Sequence, residues 1–343
     1  MDQIPCRSIN GKPVGNVGYG MLGDHDGPTS SFSTDLAAGL SIPWSPVEYP
    51  IAVKLLKLAL DHGANVWNGS THYGTPDANS VHLVKYYFEQ YPEDVDKVFL
   101  TMKGAYDPRT GPDGTPEGIR ASVEAAYSIL KDVKIIDAFA MGRVDPNVPI
   151  ETSIAALAEL VAEGKIASIG LSEVSADTIR RACAVHPIAT AEIELSLFTP
   201  DPIGNGILKA CRENAVQVIA YSPIGRGWLT NDFHKLGALP EDDFRRRLPR
   251  FQPEVFGQNS KLVAAVEQMA IRKGVSTAQV ALSWVVAQGA IPIPGSKTPK
   301  RIEENCAVIA LSEAELLELN GLVDSMPIAG LRYGGQHEQL LNA

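Results

Sequence analysis

From about residue 45 onward, short β-branched segments alternate with longer stretches in which apolar residues recur at helical spacing. This is the pattern of parallel strands joined by crossover helices. Segments 16–21, 65–67, 97–102, 135–141, 167–171, 191–195, 217–221 and 290–294 read as strands. Stretches 50–62, 118–131, 150–163, 176–185 and 260–273 read as helices with one apolar face. Eight βα units predict a closed (β/α)8 TIM barrel, one α/β domain over residues 1–343, with an extra helix near the C-terminus. Two irregular stretches, 23–46 and 223–257, are predicted as long loops over the C-terminal mouth of that barrel.

An open doubly wound sheet is the alternative, and one motif matches its phosphate-binding turn in spacing. Gly18, Gly20 and Gly23 in GYGMLG satisfy GxGxxG, but the DHDGPTSSFSTD that follows opens no helix. Without a helix N-terminus behind it the motif has no phosphate to hold.

Composition narrows the partners. Hydrophobic residues at 45% and charged ones at 20% fit a globular chain with a substantial core. Thirty basic against forty acidic residues give a net charge of −10, and no Lys/Arg run tracks a phosphate backbone, which argues against nucleic acid. An anionic ligand then needs a local basic pocket working against the overall field. Cys6, Cys183, Cys211 and Cys306 are widely spaced with no CxxC pair, which suggests neither zinc nor a disulfide framework, and a reducing compartment. No run approaches the ~20 apolar residues of a membrane span, and a cytoplasmic protein is expected.

GANVWNGSTHYG sets Tyr73 just beyond the second strand, and VFLTMKG sets Lys103 at the end of the third. C-terminal ends of neighbouring strands converge on one mouth, where the two side chains can meet. An ammonium beside a phenol favours its ionised form and brings its acidity toward neutral pH. Tyr73 is then suited to protonate a carbonyl oxygen while a nicotinamide supplies hydride to the carbon. Taken singly, Tyr-Gly also reads as a packed turn and a strand-end lysine as a solvated charge.

These segments resemble the aldo-keto reductase family, as do IDAFAMGRVDPNVPIETS, SIGLSEVS, IELSLF, VIAYSPIGRGWLT and IPIPGSKTPKRIEEN, in order over nearly the whole chain. Within the family, the chain is most similar to fungal pyridoxal reductase-like members, through WN before Tyr-Gly, RVDPNVPIE, GLSEVSA and the terminal PIAGLRY. The resemblance implies a catalytic set of Asp, Tyr, Lys and His. Tyr73 and Lys103 match it, whereas the Asp position reads Asn68 and the His position Gly142. Loss of that carboxylate predicts an unneutralised Lys103 with a stronger field on Tyr73. Loss of the imidazole removes a group that orients the carbonyl oxygen. It predicts a shifted substrate pocket at Gly142, with His72 compensating or lining the wall. Trp44, Arg143 and Asp145 are candidates for the pocket or its rim, with structural roles equally open.

The same resemblance implies an NADPH cradle. Gly295, Ser296 and Lys297 would take the 2'-phosphate and ribose at a helix N-terminus, Arg301 would stack on the adenine or pair with that phosphate, and Glu304 and Asn305 would hold the adenine edge. Tyr221 would stack under the nicotinamide, with Ser222, Gly225, Arg226 and Trp228 in the loop covering the pyrophosphate. Ser172 and Glu192 would hold the carboxamide, although the usual Asn and Gln read Glu173 and Glu192. No metal is expected, and a monomer or weak homo-oligomer is. Three functions follow: reduction of pyridoxal or a related small carbonyl compound, the same chemistry on a natural-product intermediate, or NADPH sensing with little turnover, as in potassium-channel beta subunits.

Overall fold

A computed structural model describes residues 7–21, 40, 47–230, 239 and 243–343. The chain opens with an antiparallel hairpin, Arg7–Ile9 with Lys12–Val14, absent from the strands expected above. Asn10 and Gly11 form its turn at φ 50° and 78°, the left-handed pair that a two-residue turn needs to match strand twist. The Asn-Gly dipeptide was its signal.

Eight parallel strands follow: β1 (Tyr19–Gly20), β2 (Val66–Ser70), β3 (Phe99–Gly104), β4 (Ala138–Met141), β5 (Ile169–Ser172), β6 (Ile188–Glu194), β7 (Gln217–Tyr221) and β8 (Ile291–Pro292). They pair in sequence order. The amide of Gly18 donates to the Pro292 carbonyl at 2.9 Å, joining the first strand to the last and completing the expected barrel. Gly18 and Gly20 of GYGMLG serve this seam, and Gly23 lies outside the described residues. A Cβ at Gly20 would lie 2.7 Å from the Ile293 carbonyl oxygen, and one at Gly18 would strike that of Val66. Close backbone approach, not phosphate binding, accounts for both.

Around the strands run α1 (Tyr49–Asp61), α2 (Ser80–Gln90), α3 (Pro116–Leu130), α4 (Ile150–Ala162), α5 (Ala176–Val185), α6 (Ile207–Glu213), α7 (Pro253–Lys273), α8 (Thr277–Ala287), α9 (Pro299–Cys306), the expected extra helix α10 (Glu313–Ser325) and the short α11 (Gly335–Gln339). α7 begins seven residues before its expected start at 260, because Pro253 fits the first turn and the helix runs through Gly257. The stretch before it is not irregular throughout. Trp228 is fully buried against Phe198, Phe251 and Phe256, so it belongs to the core rather than to a cofactor cover. Apart from Leu40, which is buried and donates its amide to the Met21 carbonyl at 3.1 Å, the 23–46 stretch, Trp44 within it and Cys6 lie outside the described residues.

Strand residues alternate between helix-facing and barrel-facing. Val66, Phe99, Ala138, Ile219 and Ile291 pack with Ile9 and Val14 of the hairpin into one apolar cluster that floors the barrel. Two residues further along β2 and β3 the inner face turns polar. Among the described residues no helix is long and apolar enough to cross a membrane.

Candidate active site

Register builds the polar layer. Asn68 pairs with Thr101 and Ser70 with Lys103 between β2 and β3, while β6 brings Glu192 opposite Ser172 and Ile219. Asn68, Lys103, Glu192 and Tyr73 are 2%, 3%, 8% and 7% exposed, so any charge here needs a partner. Lys103 Nζ donates to both oxygens of Glu192, at 2.7 and 2.8 Å, and to Asn68 Oδ1 at 2.9 Å. Asn68 Nδ2 donates to Glu192 Oε2 at 2.7 Å and to Thr101 Oγ1 at 2.9 Å. Burial lowers the Lys103 pKa, and Glu192 pulls it back up.

This geometry corrects two expectations. Lys103 is not left unneutralised by Asn68, because a carboxylate reaches it from the other side of the barrel. Glu192, expected on a carboxamide, spends both oxygens on Lys103 and Asn68.

Tyr73 sits in the turn after β2, held by its own N–H to the Ser70 carbonyl at 3.3 Å and by the Ser80 amide to its carbonyl at 2.9 Å. Gly74 follows at φ 122°, where a Cβ would lie 2.6 Å from Asn79 Cα. Lys103 Nζ lies 4.9 Å from the centroid of the Tyr73 ring. His72 packs edge-on against Tyr73, centroids 4.9 Å apart, and against Tyr106 at 5.2 Å, with Nδ1 2.6 Å from Ser70 Oγ. Burial, assisted by Lys103 and Arg143, lowers its pKa to about 3, so the ring is neutral at physiological pH. Tyr106, in the strand Tyr106–Asp107 after β3, fills the space beside Gly142: a Cβ there would lie 2.8 Å from Tyr106 Cβ.

Two cavities meet at Tyr73, Lys103 and Arg143. The inner one encloses about 520 Å³. Its lining includes Asn68, Glu192, Tyr221, Ser222, Gly295, Ser296, Arg301, Glu304 and Asn305, all expected, together with Lys300 and Arg245, which were not. Lys297, Gly225 and Ser172 are not among its walls. Gly225 instead packs its φ 59° turn on Phe198 and Trp228. The Ser172 hydroxyl is buried with no hydrogen-bond partner among the described residues. Tyr19 donates to the Ser296 carbonyl, and Ser296 Oγ accepts from the Thr298 amide at 3.1 Å, which shapes the loop entering α9. The outer cavity, about 860 Å³, is lined by His72, Tyr106, Gly142 and Arg143 among others. Of the pocket and structural roles open to Asp145, the structural one holds: it is buried and accepts from the Gly114 and Asn147 amides, which makes it a loop brace.

The C-terminal segment closes one side. Arg332 donates to Glu173 Oε1 at 2.8 Å, to Glu194 Oε2 at 2.9 Å and to the Tyr221 hydroxyl at 2.7 Å. Glu173, at φ 51° and buried, therefore faces a guanidinium rather than a carboxamide. Burial pushes the Glu194 carboxyl up, but Arg332, Arg226 and Arg250 outweigh it and hold the pKa at about 2. Burial, opposed in part by Arg332, drives the Tyr221 phenol well above its ordinary range and keeps it neutral. Tyr333 lies 3.1 Å from the Tyr221 hydroxyl and beneath the Arg226 guanidinium, 4.2 Å from its ring centroid. Arg332 and Tyr333 were passed over as site residues, although the terminal LRY that carries them was part of the resemblance.

The model of the aldo/keto reductase family matches residues 37–324. A probable pyridoxal reductase 2 of Schizosaccharomyces pombe is 39% identical, covering 97% of this chain and 99% of that one. The aldo-keto reductase yakc, NADP(+), of the same organism is 34% identical, covering 96% and 94%. Among solved structures, glycerol dehydrogenase AKR11B4 from Gluconobacter oxydans superposes with a TM-score of 0.79 at 24% identity, covering 95% of this chain and 97% of that one.

Proposed function

The chain belongs to the aldo/keto reductase family and is an oxidoreductase, and from that premise we propose that it reduces the carbonyl of a small aldehyde or ketone with NADPH. The observation that carries this is the buried contact of Lys103 with Tyr73, 4.9 Å from Nζ to ring centroid, where the two cavities meet. NADP(+) in the name of the yakc relative supports the choice of dinucleotide. So do Lys300 and Arg301 on the inner wall, which suit a 2'-phosphate.

In this reading Ser296, Arg301, Glu304 and Asn305 hold the dinucleotide, which when bound supplies hydride to the carbonyl carbon. Tyr73 gives its hydroxyl proton to the carbonyl oxygen. Lys103 steadies the phenolate that remains, and Glu192 and Asn68 keep Lys103 protonated and aimed. Neutral His72 and Tyr106 wall the carbonyl side. Pyridoxal, the substrate named for the 39% identical relative, is the first candidate.

Tyr73→Phe tests the assignment. Loss of the proton donor should lower kcat by about 10²–10⁴-fold while NADPH binding, followed by nicotinamide fluorescence, persists. A variant turning over at the parental rate removes Tyr73 from the chemistry. Tight NADPH binding by the parent with no turnover on an aldehyde panel would instead favour the sensing role.

A further inference from the structure

The outer cavity adjoins the reacting centre and is lined by Arg109, Arg143, Arg226 and Arg247, with Asp107 as its one carboxylate among the described residues. Two of these cations are already answered. Arg109 clasps Asp107 at 2.8 and 3.1 Å, and Arg226 meets Glu194 at 3.4 Å. Arg143 and Arg247 form no ion pair among the described residues. The bond that Arg143 makes is from Nη1 to the Gly142 carbonyl at 2.6 Å, which leaves most of its fork for the cavity it faces.

A chain of net charge −10 repels anions at long range. Concentrating unanswered guanidiniums in one cavity reverses that field locally, and their planar forks match a carboxylate or phosphate bidentately. Resting on the carbonyl reduction proposed above, we propose that the substrate is an aldehyde or ketone bearing an anionic group, a carboxylate or a phosphate, held by Arg143 and Arg247 while the carbonyl lies at Tyr73. A phosphorylated aldehyde and a carboxylated one present the same chemistry to the two arginines.

The test pairs 4-carboxybenzaldehyde with its neutral methyl ester, which have similar carbonyl reactivity, and pyridoxal 5'-phosphate with pyridoxal. In the parent the anion of one or both pairs should show the higher kcat/KM by about tenfold or more, the factor carried by one charge-assisted hydrogen bond. The ratio should fall toward one in Arg247→Gln, an exposed position where folding is not at stake, and in Arg143→Gln. It should also shrink at about 0.5 M salt. A preference in the first pair alone identifies a carboxylate site, and in the second alone a phosphate site. Anions that do no better than their neutral partners in both pairs overturn the proposal and leave the reductase reading intact. If no aldehyde is reduced, the reductase reading fails instead. Calorimetric binding of terephthalate and of inorganic phosphate, weakened in Arg247→Gln, then reports independently on the anion site, and no binding of either anion rejects it.

Discussion

Glu192→Gln removes one charge from the barrel interior while keeping the size of the side chain. In the parent, both Glu192 oxygens lie within 2.8 Å of Lys103 Nζ, in a site from which water is largely excluded. At that separation and an effective dielectric of about 20, the attraction is roughly 6 kcal/mol. Most of it offsets the desolvation of the two ions, so the pair adds little net stability. Removing one partner is another matter, because the ammonium then stays buried with only amide oxygens to answer it, at about 3–5 kcal/mol. The variant can meet that cost by unfolding more readily or by releasing the Lys103 proton. Burial already lowers the Lys103 pKa and Glu192 opposes the fall, so loss of Glu192 moves it further down. Activity that needs the ammonium should then disappear at a lower pH than in the parent. Urea denaturation and kcat/KM measured from about pH 5 to about pH 9 read both outlets. Asn68→Asp in the same chain returns a carboxylate to Lys103 from the β2 side and should recover most of the loss. A Glu192→Gln protein within about 0.5 kcal/mol of the parent, with a superimposable pH profile, would refute the role given to Glu192.

Gly142→His restores the family's usual residue but sets a Cβ 2.8 Å from Tyr106 Cβ. It should cost about 1–3 kcal/mol in denaturation experiments without raising kcat, and Tyr106→Ala in the same chain should relieve the cost. Acid should weaken the fold through Glu194, whose pKa drops from an ordinary 4.5 to about 2. A carboxyl depressed in the folded state stabilises above its unfolded pKa, so this contribution, on the order of 3 kcal/mol, is present at pH 5 and is lost as pH falls from about 4.5 to about 2. Arg332→Met, which raises the Glu194 pKa, should flatten the decline in unfolding free energy over that window; an unchanged slope would show that other carboxylates set it.

The barrel was legible because its signal is periodic and repeated. Each strand with its helix states the pattern again, so errors of two or three residues at the ends do not alter the topology. α8 illustrates the limit. Its residues from Val280 to Val286 are all buried, which leaves no polar face to mark a helix. Tyr73 and Lys103 were legible because their places, just past β2 and at the end of β3, follow from the strands alone. The partner of Lys103 was not. Glu192 lies 89 residues further along the chain, and only the register of the two intervening strands, β4 and β5, turns it toward the ammonium. Read one position at a time, Asn68 looked like a lost charge and Glu192 like a misplaced one. In the fold Glu192 supplies Lys103 with the carboxylate that Asn68 does not. Arg332 was hidden for the same reason, since its partners Glu173, Glu194 and Tyr221 come from three different strand ends.

β6 carries the consequence furthest. A strand repeats every two residues, so Glu192 and Glu194 both point into the barrel, one step apart along its axis. The lower carboxylate meets Lys103 at 2.7 Å, and the upper meets Arg332 at 2.9 Å and Arg226 at 3.4 Å. Lys103, Arg226 and Arg332 are thus neutralised by the same strand, whereas Arg143 and Arg247 face the outer cavity with no carboxylate from it. Moving the lower carboxylate to β2 would still satisfy Lys103, but it would place that charge on the strand that leads directly into Tyr73. Holding it on β6 leaves a neutral amide, Asn68, as the β2 group beside Lys103, so the strand that leads into Tyr73 carries no charge at that position. Comparing the Tyr73 titration in the parent and in the Asn68→Asp, Glu192→Gln double variant separates these arrangements: the phenol should titrate at lower pH in the parent, and equal values would mean that the position of the carboxylate is electrostatically neutral.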